Sequence, residues 1–96
     1  MSAENHYLDA LEKLDSNDRV AALEHAYKAV KLDPEHVDAW NVISDAHLGA
    51  DGKPANLIDA SKSLSAVKKI VKLDPTRIDI WVRGGRLLAD ELGLMI

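Results

Sequence analysis

The sequence predicts an all-α fold of five helices arranged as helix–turn–helix repeats, and two observations carry this prediction. The first is an internal repeat: residues 28–40 (KAVKLDPEHVDAW) recur as residues 69–81 (KIVKLDPTRIDIW), so that Pro34 and Pro75 lie 41 positions apart. The second is the recurrence of apolar residues at i, i+3 and i+4, which is typical of helices that bury one face. Each copy of the repeat predicts the end of one helix, a proline corner and the start of the next helix.

The composition indicates one folded domain and excludes several classes of function. The 96 residues are 47% hydrophobic and 29% charged, and there is no cysteine for a disulfide or a thiolate metal site. A net charge of −4 opposes binding to nucleic acid, which needs clustered basic residues. We find no signal-peptide pattern and no apolar run near the ~20 residues of a membrane span. We therefore expect a cytoplasmic protein that binds neither nucleic acid nor membranes.

The first two helices are predicted from capping residues and apolar faces. Ser2 is a good N-cap for helix one, and Ser16 or Asp18 can cap helix two after the polar turn over residues 15–18. Helix two then runs to the corner before Pro34. Its small residues predict a close approach to neighbouring helices: Ala22, Ala26 and Ala29.

Helices three and four are predicted on either side of residues 49–53, the most loop-like stretch of the chain. Helix three carries Trp40, which we expect to anchor the core, and His47, which we expect to pack half-buried. Pro54 suits the first position of a helix, where its missing N–H has no partner to lose. Since one apolar stripe continues from there to Leu73, we predict a single long helix four.

Helix five is predicted from about Thr76 to a C-terminal cap at Gly93, with Trp81 in the core. It contains two adjacent glycines, although one glycine inside a helix costs about 1 kcal/mol relative to alanine. We predict that a neighbouring helix approaches closely at Gly85. At Gly84 we expect a gap, a kink, a contact site or only a local irregularity.

These residues resemble the tetratricopeptide repeat (TPR) family, whose motif is a 34-residue helix–turn–helix. The resemblance rests on a large aromatic residue early in the leading helices, a small residue four positions later, and a Leu-Asp-Pro corner: Trp40 with Ser44, Trp81 with Gly85, and residues 32–34. It implies a single domain over residues 1–96, with antiparallel helices stacked as an α–α superhelix. The implied units are residues 2–34, 35–75 and 76–96.

The second unit departs from the family pattern because it is seven residues longer than 34. Seven residues are close to two helical turns, with a phase drift of only ~20°. We therefore predict that helix four, the second helix of this unit, is extended and projects about two turns beyond the stack.

No pattern in the sequence predicts an enzyme, a metal site or a cofactor. The four histidines have no i, i+4 partner among themselves. Residues 52–54 (GKP) lack the glycine spacing and the Ser/Thr of a phosphate loop. Residues 65–68 match Ser-x-x-Lys, but these two residue types meet often by chance on a helix surface. We predict a non-catalytic protein.

The resemblance implies a concave groove lined by the leading helices, in which the chain would bind a protein or peptide as an adaptor. The implied groove residues are Asp9, Glu12, Asp38, Asn41, Asp45, Asp79, Val82, Arg83 and Arg86. Because most of these charges are acidic, we expect a partner with basic or amide residues, one acidic residue of which would meet the two arginines. Only Arg83 matches the clamp with which some family members hold the carboxylate of chaperone tails, so we do not expect that ligand.

Self-association is the alternative function. The third unit has a leading helix without a second helix, and its apolar face would comprise Leu88, Leu92, Leu94, Met95 and Ile96. Because solenoids need a polar helix over their last apolar face, a second copy of the chain could cover this one and form a homo-oligomer. The other interpretation is that the chain is a fragment of a longer repeat array.

Overall fold

The computed structural model describes residues 2–49 and 51–95, which form five α-helices. The helices are α1 (Ala3–Asp15), α2 (Arg19–Leu32), α3 (Val37–Ala46), α4 (Leu57–Leu73) and α5 (Ile78–Met95). These described residues contain no β-strand, and the predicted all-α class with five helices is therefore confirmed. Within the same two stretches, no helix combines the length and apolar character that a membrane crossing requires.

Side chains cap the N-termini of the first four helices. In each case an oxygen or nitrogen of the preceding side chain accepts a backbone N–H three residues later, as seen for Ser2 with Asn5, Asp18 with Ala21, His36 with Ala39, and Asn56 with Asp59. Such a cap satisfies one of the four N–H groups that a helix leaves unpaired and contributes about 1 kcal/mol. The predicted caps at Ser2 and Asp18 are confirmed.

The pair α3 and α4 runs antiparallel, as three contacts along its length show. Residues later in α3 meet residues earlier in α4: Trp40 lies under Lys69, Ser44 bonds to Ser63, and His47 bonds to Asp59. Two clusters of buried apolar side chains lie on either side of Trp40, which packs against both. Trp40 is therefore the core anchor that the sequence predicts.

The first cluster is built largely from alanine, which allows α1, α2 and α3 to approach closely. Its fully buried members include Ala10, Ala26, Ala29 and Ala39. The second cluster joins α4 to α5 through larger side chains, among them Ile70, Ile80 and Leu87. Among the described residues, the backbone of α5 packs against α4.

The predicted start and extension of the fourth helix are wrong. Helix α4 begins at Leu57 because Asn56 caps it, and Pro54 instead pairs with Leu48 in an isolated bridge within the loop. This helix has 17 residues against 14 in α2, so it is longer by less than one turn. The seven additional residues lengthen the α3–α4 connection to residues 47–56, whereas residues 16–18 suffice between α1 and α2.

Two further differences concern α5. The helix continues through Gly93, which is therefore not its C-terminal cap. Trp81 is 53% exposed, so the prediction that it anchors the core is wrong. Its indole N–H donates to the carbonyl of Pro75 at 2.8 Å, as Trp40 donates to Pro34 at 2.7 Å. The two tryptophans thus take equivalent positions, but Trp40 packs against both apolar clusters, whereas Trp81 stays half-exposed.

The two adjacent glycines differ in their surroundings, and only the prediction for Gly85 is wrong. Gly84 is buried, and a Cβ atom there would lie 3.1 Å from Cγ1 of Val67 on α4. Gly85 is exposed, and a Cβ atom there would meet nothing within 4 Å. The close approach of the neighbouring helix is therefore at Gly84, and the predicted packing role of Gly85 is wrong.

Replacing each glycine with alanine should separate helix propensity from packing. Gly85→Ala should raise the free energy of unfolding by up to ~1 kcal/mol, because a methyl group in open space removes backbone freedom from the unfolded chain. Gly84→Ala should gain less or destabilise, because its methyl group presses on Val67. Urea denaturation of both variants measures the difference. A Gly84→Ala variant at least as stable as Gly85→Ala would contradict the close approach.

Candidate functional site

Five of the nine predicted groove residues surround one cavity of about 250 Å³ between α3 and α5. We call this cavity the polar groove. Its predicted members are Asp45, Asp79, Val82, Arg83 and Arg86, and the sequence analysis did not foresee the remaining lining residues Leu48, Gly52 and Leu87. Residues separated by up to 42 positions in sequence therefore share one concave surface.

A hydrogen-bond chain holds Arg83 across the gap between α5 and α3. Its Nη1 donates to Oδ1 of Asn41 at 2.7 Å and to Oγ of Ser44 at 3.4 Å. The Ser44 hydroxyl is itself fixed, because the hydroxyl of Ser63 lies 3.0 Å from it and donates to the Ser44 carbonyl at 2.7 Å. Both serines are fully buried. Asn41, a sixth predicted residue, is thereby joined to the groove through Arg83.

The charge of the polar groove is balanced rather than acidic. Its lining contains two carboxylates and two guanidinium groups. One carboxylate, that of Asp79, also accepts from Nε and Nη2 of Arg77 at 3.4 and 3.5 Å. This hydrogen-bonded guanidinium lowers the pKa of the Asp79 carboxyl below its ordinary value. A ligand would therefore meet both signs of charge within one cavity.

The other three predicted groove residues do not line this cavity. Glu12 is exposed near the end of α1, and Asp9 lies on the same helix. Asp38 lies in the first turn of α3, near the phenol of Tyr7. Burial raises the pKa of Tyr7, and the negative charges of Asp38 and Glu4 raise it further. The sequence pattern thus places these three carboxylates on the leading helices but not at one site.

A larger cavity of about 410 Å³ lies between α4 and α5, and we call it the apolar cleft. Its apolar lining comprises Leu64, Val67, Val71, Trp81 and Leu88, with Gly84 and Gly85 between them and Lys68 and Lys72 at its edge. The glycines contribute no side chain, which keeps the cleft open. Trp81 is 53% and Leu88 51% exposed, so two large apolar side chains of α5 face solvent here.

Most residues of this cleft were not predicted from the sequence as part of a binding surface. Leu88 belongs to the face predicted for self-association, and Leu92 on the same helix is also exposed. The side chains of Leu94 and Met95, as well as Ile96, lie outside the described part of the structure. Trp81 was missed because its corner motif is identical to that of the half-buried Trp40.

His47 is buried, as its predicted packing role requires, and it links three helices. Its Nε2 lies 3.1 Å from the hydroxyl of Tyr27 on α2, and its Nδ1 lies 3.2 Å from Oδ1 of Asp59 on α4. Burial raises the pKa of the Tyr27 phenol. None of these three residues lines the polar groove or the apolar cleft. The chain of hydrogen bonds therefore satisfies buried polar atoms between helices.

No protein-family model matches this sequence, and no curated protein is similar to it. The resemblance to the TPR family therefore stays a prediction. The polar groove and the apolar cleft are the candidate binding sites, on the basis of their shape and lining residues.

The ion pair at the rim of the polar groove can be tested by titration. Arg77→Gln should raise the pKa of Asp79 toward its ordinary value, because the variant removes the guanidinium that stabilises the carboxylate. In the unchanged chain this pair stabilises the fold above the ordinary carboxyl pKa, and the effect is lost as pH falls through the lowered pKa.

Carbon-13 NMR of the side-chain carboxyl follows this titration directly. Arg86→Gln is the matched control, since Arg86 lines the same groove without bonding to Asp79. An Asp79 pKa that is the same in the Arg77→Gln variant would mean that the pair does not persist in solution.

Proposed function

We propose that this chain is a non-catalytic, TPR-like interaction module that binds an amphipathic helix of a protein partner in the apolar cleft. The order of helices, the two proline corners and the packing of α1 beside α3 support a stack of helix–turn–helix units. A cytoplasmic location belongs to the same proposal. Helical modules of this kind bind partners through their surfaces. We therefore expect the binding site where large apolar side chains are exposed.

The half-exposed Trp81 in the apolar cleft is the observation that carries this proposal. Contiguous exposed apolar area is uncommon on proteins that act alone and marks interaction sites. Tryptophan is also the residue type that contributes most to binding when a partner covers it. Leu88 lies two helical turns after Trp81 on α5 and extends the apolar surface along the helix axis. Such a stripe suits a partner helix with apolar residues at i, i+3, i+4 and i+7.

The two lysines at the edge of the cleft define the chemistry of the partner. Lys68 and Lys72 lie one turn apart on α4, and both are exposed. A partner helix that carries glutamate or aspartate beside its apolar stripe would place opposite charges against them. Such rim charges contribute mainly to the association rate and to the choice between partners, while the apolar contact supplies most of the affinity.

A designed amphipathic helix of about 18 residues, with leucines on one face and glutamates beside them, is the probe for the apolar cleft. It should bind, whereas a probe with lysines in place of the glutamates should bind more weakly. Trp81→Ala should weaken binding by about tenfold or more, because it removes the central apolar anchor. Fluorescence anisotropy of the labelled probe measures both effects.

Charge reversal provides the matched comparison. Lys68→Glu with Lys72→Glu should reverse the preference between the two probes. Lys13→Glu with Lys31→Glu changes the net charge equally, on exposed positions of α1 and α2, and should leave the preference unchanged. Equal effects of the two pairs would show that only net charge matters, and an inert Trp81→Ala variant would exclude the cleft.

Self-association through the same cleft would give a different result in sedimentation experiments. If a second copy were the occupant, sedimentation would show a dimer at rising concentration, and Trp81→Ala would restore the monomer. A chain that stays monomeric while binding the acidic probe supports the partner helix instead. A dimer that Trp81→Ala abolishes would replace the proposed partner with a second copy.

The polar groove is a second candidate site, because its cavity brings together carboxylates and guanidinium groups. A peptide carrying one arginine and one glutamate should bind there in a salt-sensitive manner. Asp45→Lys should weaken this binding several-fold, since it reverses a charge of the lining. Asp38→Lys is the control, because Asp38 lies on the same helix outside the cavity. Equal losses in the two variants, measured by calorimetry, would exclude the groove.

A further inference from the structure

Three ligand-type side chains meet at one place on α1 and α2, away from both cavities. His6 and Asp9 lie three positions apart on α1 and therefore share one face of that helix. His25 reaches the same place from α2. One ligating nitrogen of each imidazole and one carboxylate oxygen of Asp9 all lie within 4.8 Å of one another.

The two imidazoles each hold a buried nitrogen without a hydrogen-bond partner. Nδ1 of His6 and Nδ1 of His25 are both inaccessible to solvent and unbonded within the described residues. Their rings stack with centroids 6.0 Å apart and planes inclined by 30°. Buried polar atoms are bonded in most proteins, and an exception requires a cause. The imidazoles His36 and His47, in contrast, have hydrogen-bond partners for both of their ring nitrogens.

We propose that His6, Asp9 and His25 bind one zinc ion and thereby join α1 to α2. Two neutral imidazoles and a carboxylate form a ligand set that suits zinc, with a fourth position left for water. Calcium and magnesium prefer oxygen ligands alone and do not match two imidazoles. This inference does not depend on the proposed interaction function, because α5 and both cavities are built from other residues.

The ligand atoms need to move only slightly to reach coordinating geometry. Bonds to zinc of about 2.0–2.2 Å in a tetrahedron place ligand atoms about 3.3 Å apart. The three side chains are each half-buried, so part of each is accessible to an ion. Side-chain rotation would have to bring the ligand atoms closer, while α1 and α2 are already packed together.

Zinc titration of the full, untagged chain after treatment with EDTA tests the proposal. Calorimetry should show one ion per chain with micromolar or tighter affinity, and magnesium should give no heat. Zinc at about a hundredfold excess over its dissociation constant should raise Tm by about 10 °C, because it binds the folded chain alone. Cobalt should bind with the visible absorption of a tetrahedral complex.

Variants locate the ion. His6→Ala, His25→Ala and Asp9→Asn should each weaken zinc binding by about tenfold or more, since even residues that only support a ligand have effects of this size. Glu4→Gln is the matched control, because Glu4 is on α1 as well but bonds to His36 at the start of α3, in a separate histidine–carboxylate pair. It should bind zinc unchanged. Circular dichroism without zinc checks that each variant folds, and the nearly isosteric Asp9→Asn remains informative if a histidine variant does not.

Three results would overturn the proposal. The first is the absence of heat and of any rise in Tm with zinc. The second is zinc binding that persists equally in His6→Ala, His25→Ala and Asp9→Asn. The third is loss of binding in Glu4→Gln alone, which would move the ion to His36.

Discussion

The rest of the structure depends on one hydrogen bond that occurs twice, from a tryptophan indole to the carbonyl of the proline six residues earlier. It measures 2.7 Å from Trp40 to Pro34 and 2.8 Å from Trp81 to Pro75. The proline ends one helix, because the residue before it is excluded from the helical region. The indole then fixes the direction in which the next helix leaves. The two bonds therefore place Trp40 and Trp81 in the same relation to the proline corner, although the packing around the two indoles differs.

The packing around the two helices explains why apolar side chains are covered at the α1 end of the molecule and exposed at the α5 end. Alanines let α1, α2 and α3 pack closely, and Trp40 is covered from both sides. At the other end the backbone of α5 packs against α4, and Gly84 brings these two backbones together against Val67. Trp81 therefore stays half-exposed above an apolar cleft. Arg83 compensates in part, because its hydrogen bonds to Asn41 and Ser44 connect α5 to α3.

Local signals in the sequence predicted what local physics decides. The number of helices, the caps at Ser2 and Asp18 and both proline corners depend on residues close in sequence, and the structure agrees with them. The predicted start of α4 was wrong because Pro54 and Asn56 are both good helix-start residues. The bridge between Pro54 and Leu48 holds Pro54 in the loop, so the helix begins after Asn56.

The polar groove was partly predictable, because a fixed position on each leading helix faces the same side. The apolar cleft was not predictable from the sequence. The exposure of Trp81 depends on tertiary packing and not on the residues next to it in the chain. The His6–Asp9 spacing was visible as i, i+3, but His25 joins it only through the packing of α1 against α2.

The uneven packing also implies an uneven distribution of stability along the chain. Local opening has the lowest free energy where few apolar contacts are broken, and the backbone of α5 packs against α4, with the hydrogen bonds from Arg83 to α3 in addition. A helix bound in the apolar cleft would cover Trp81 and Leu88 and add a second side to the packing of α5. Binding would therefore stabilise α5, and part of the binding free energy would be used to order this helix.

At the opposite end α1 packs against both α2 and α3, so an ion held by α1 and α2 would stabilise helices that are already well covered. The three ligand residues and the lining of the apolar cleft have no residue in common, so variants at one site would leave the other measurable.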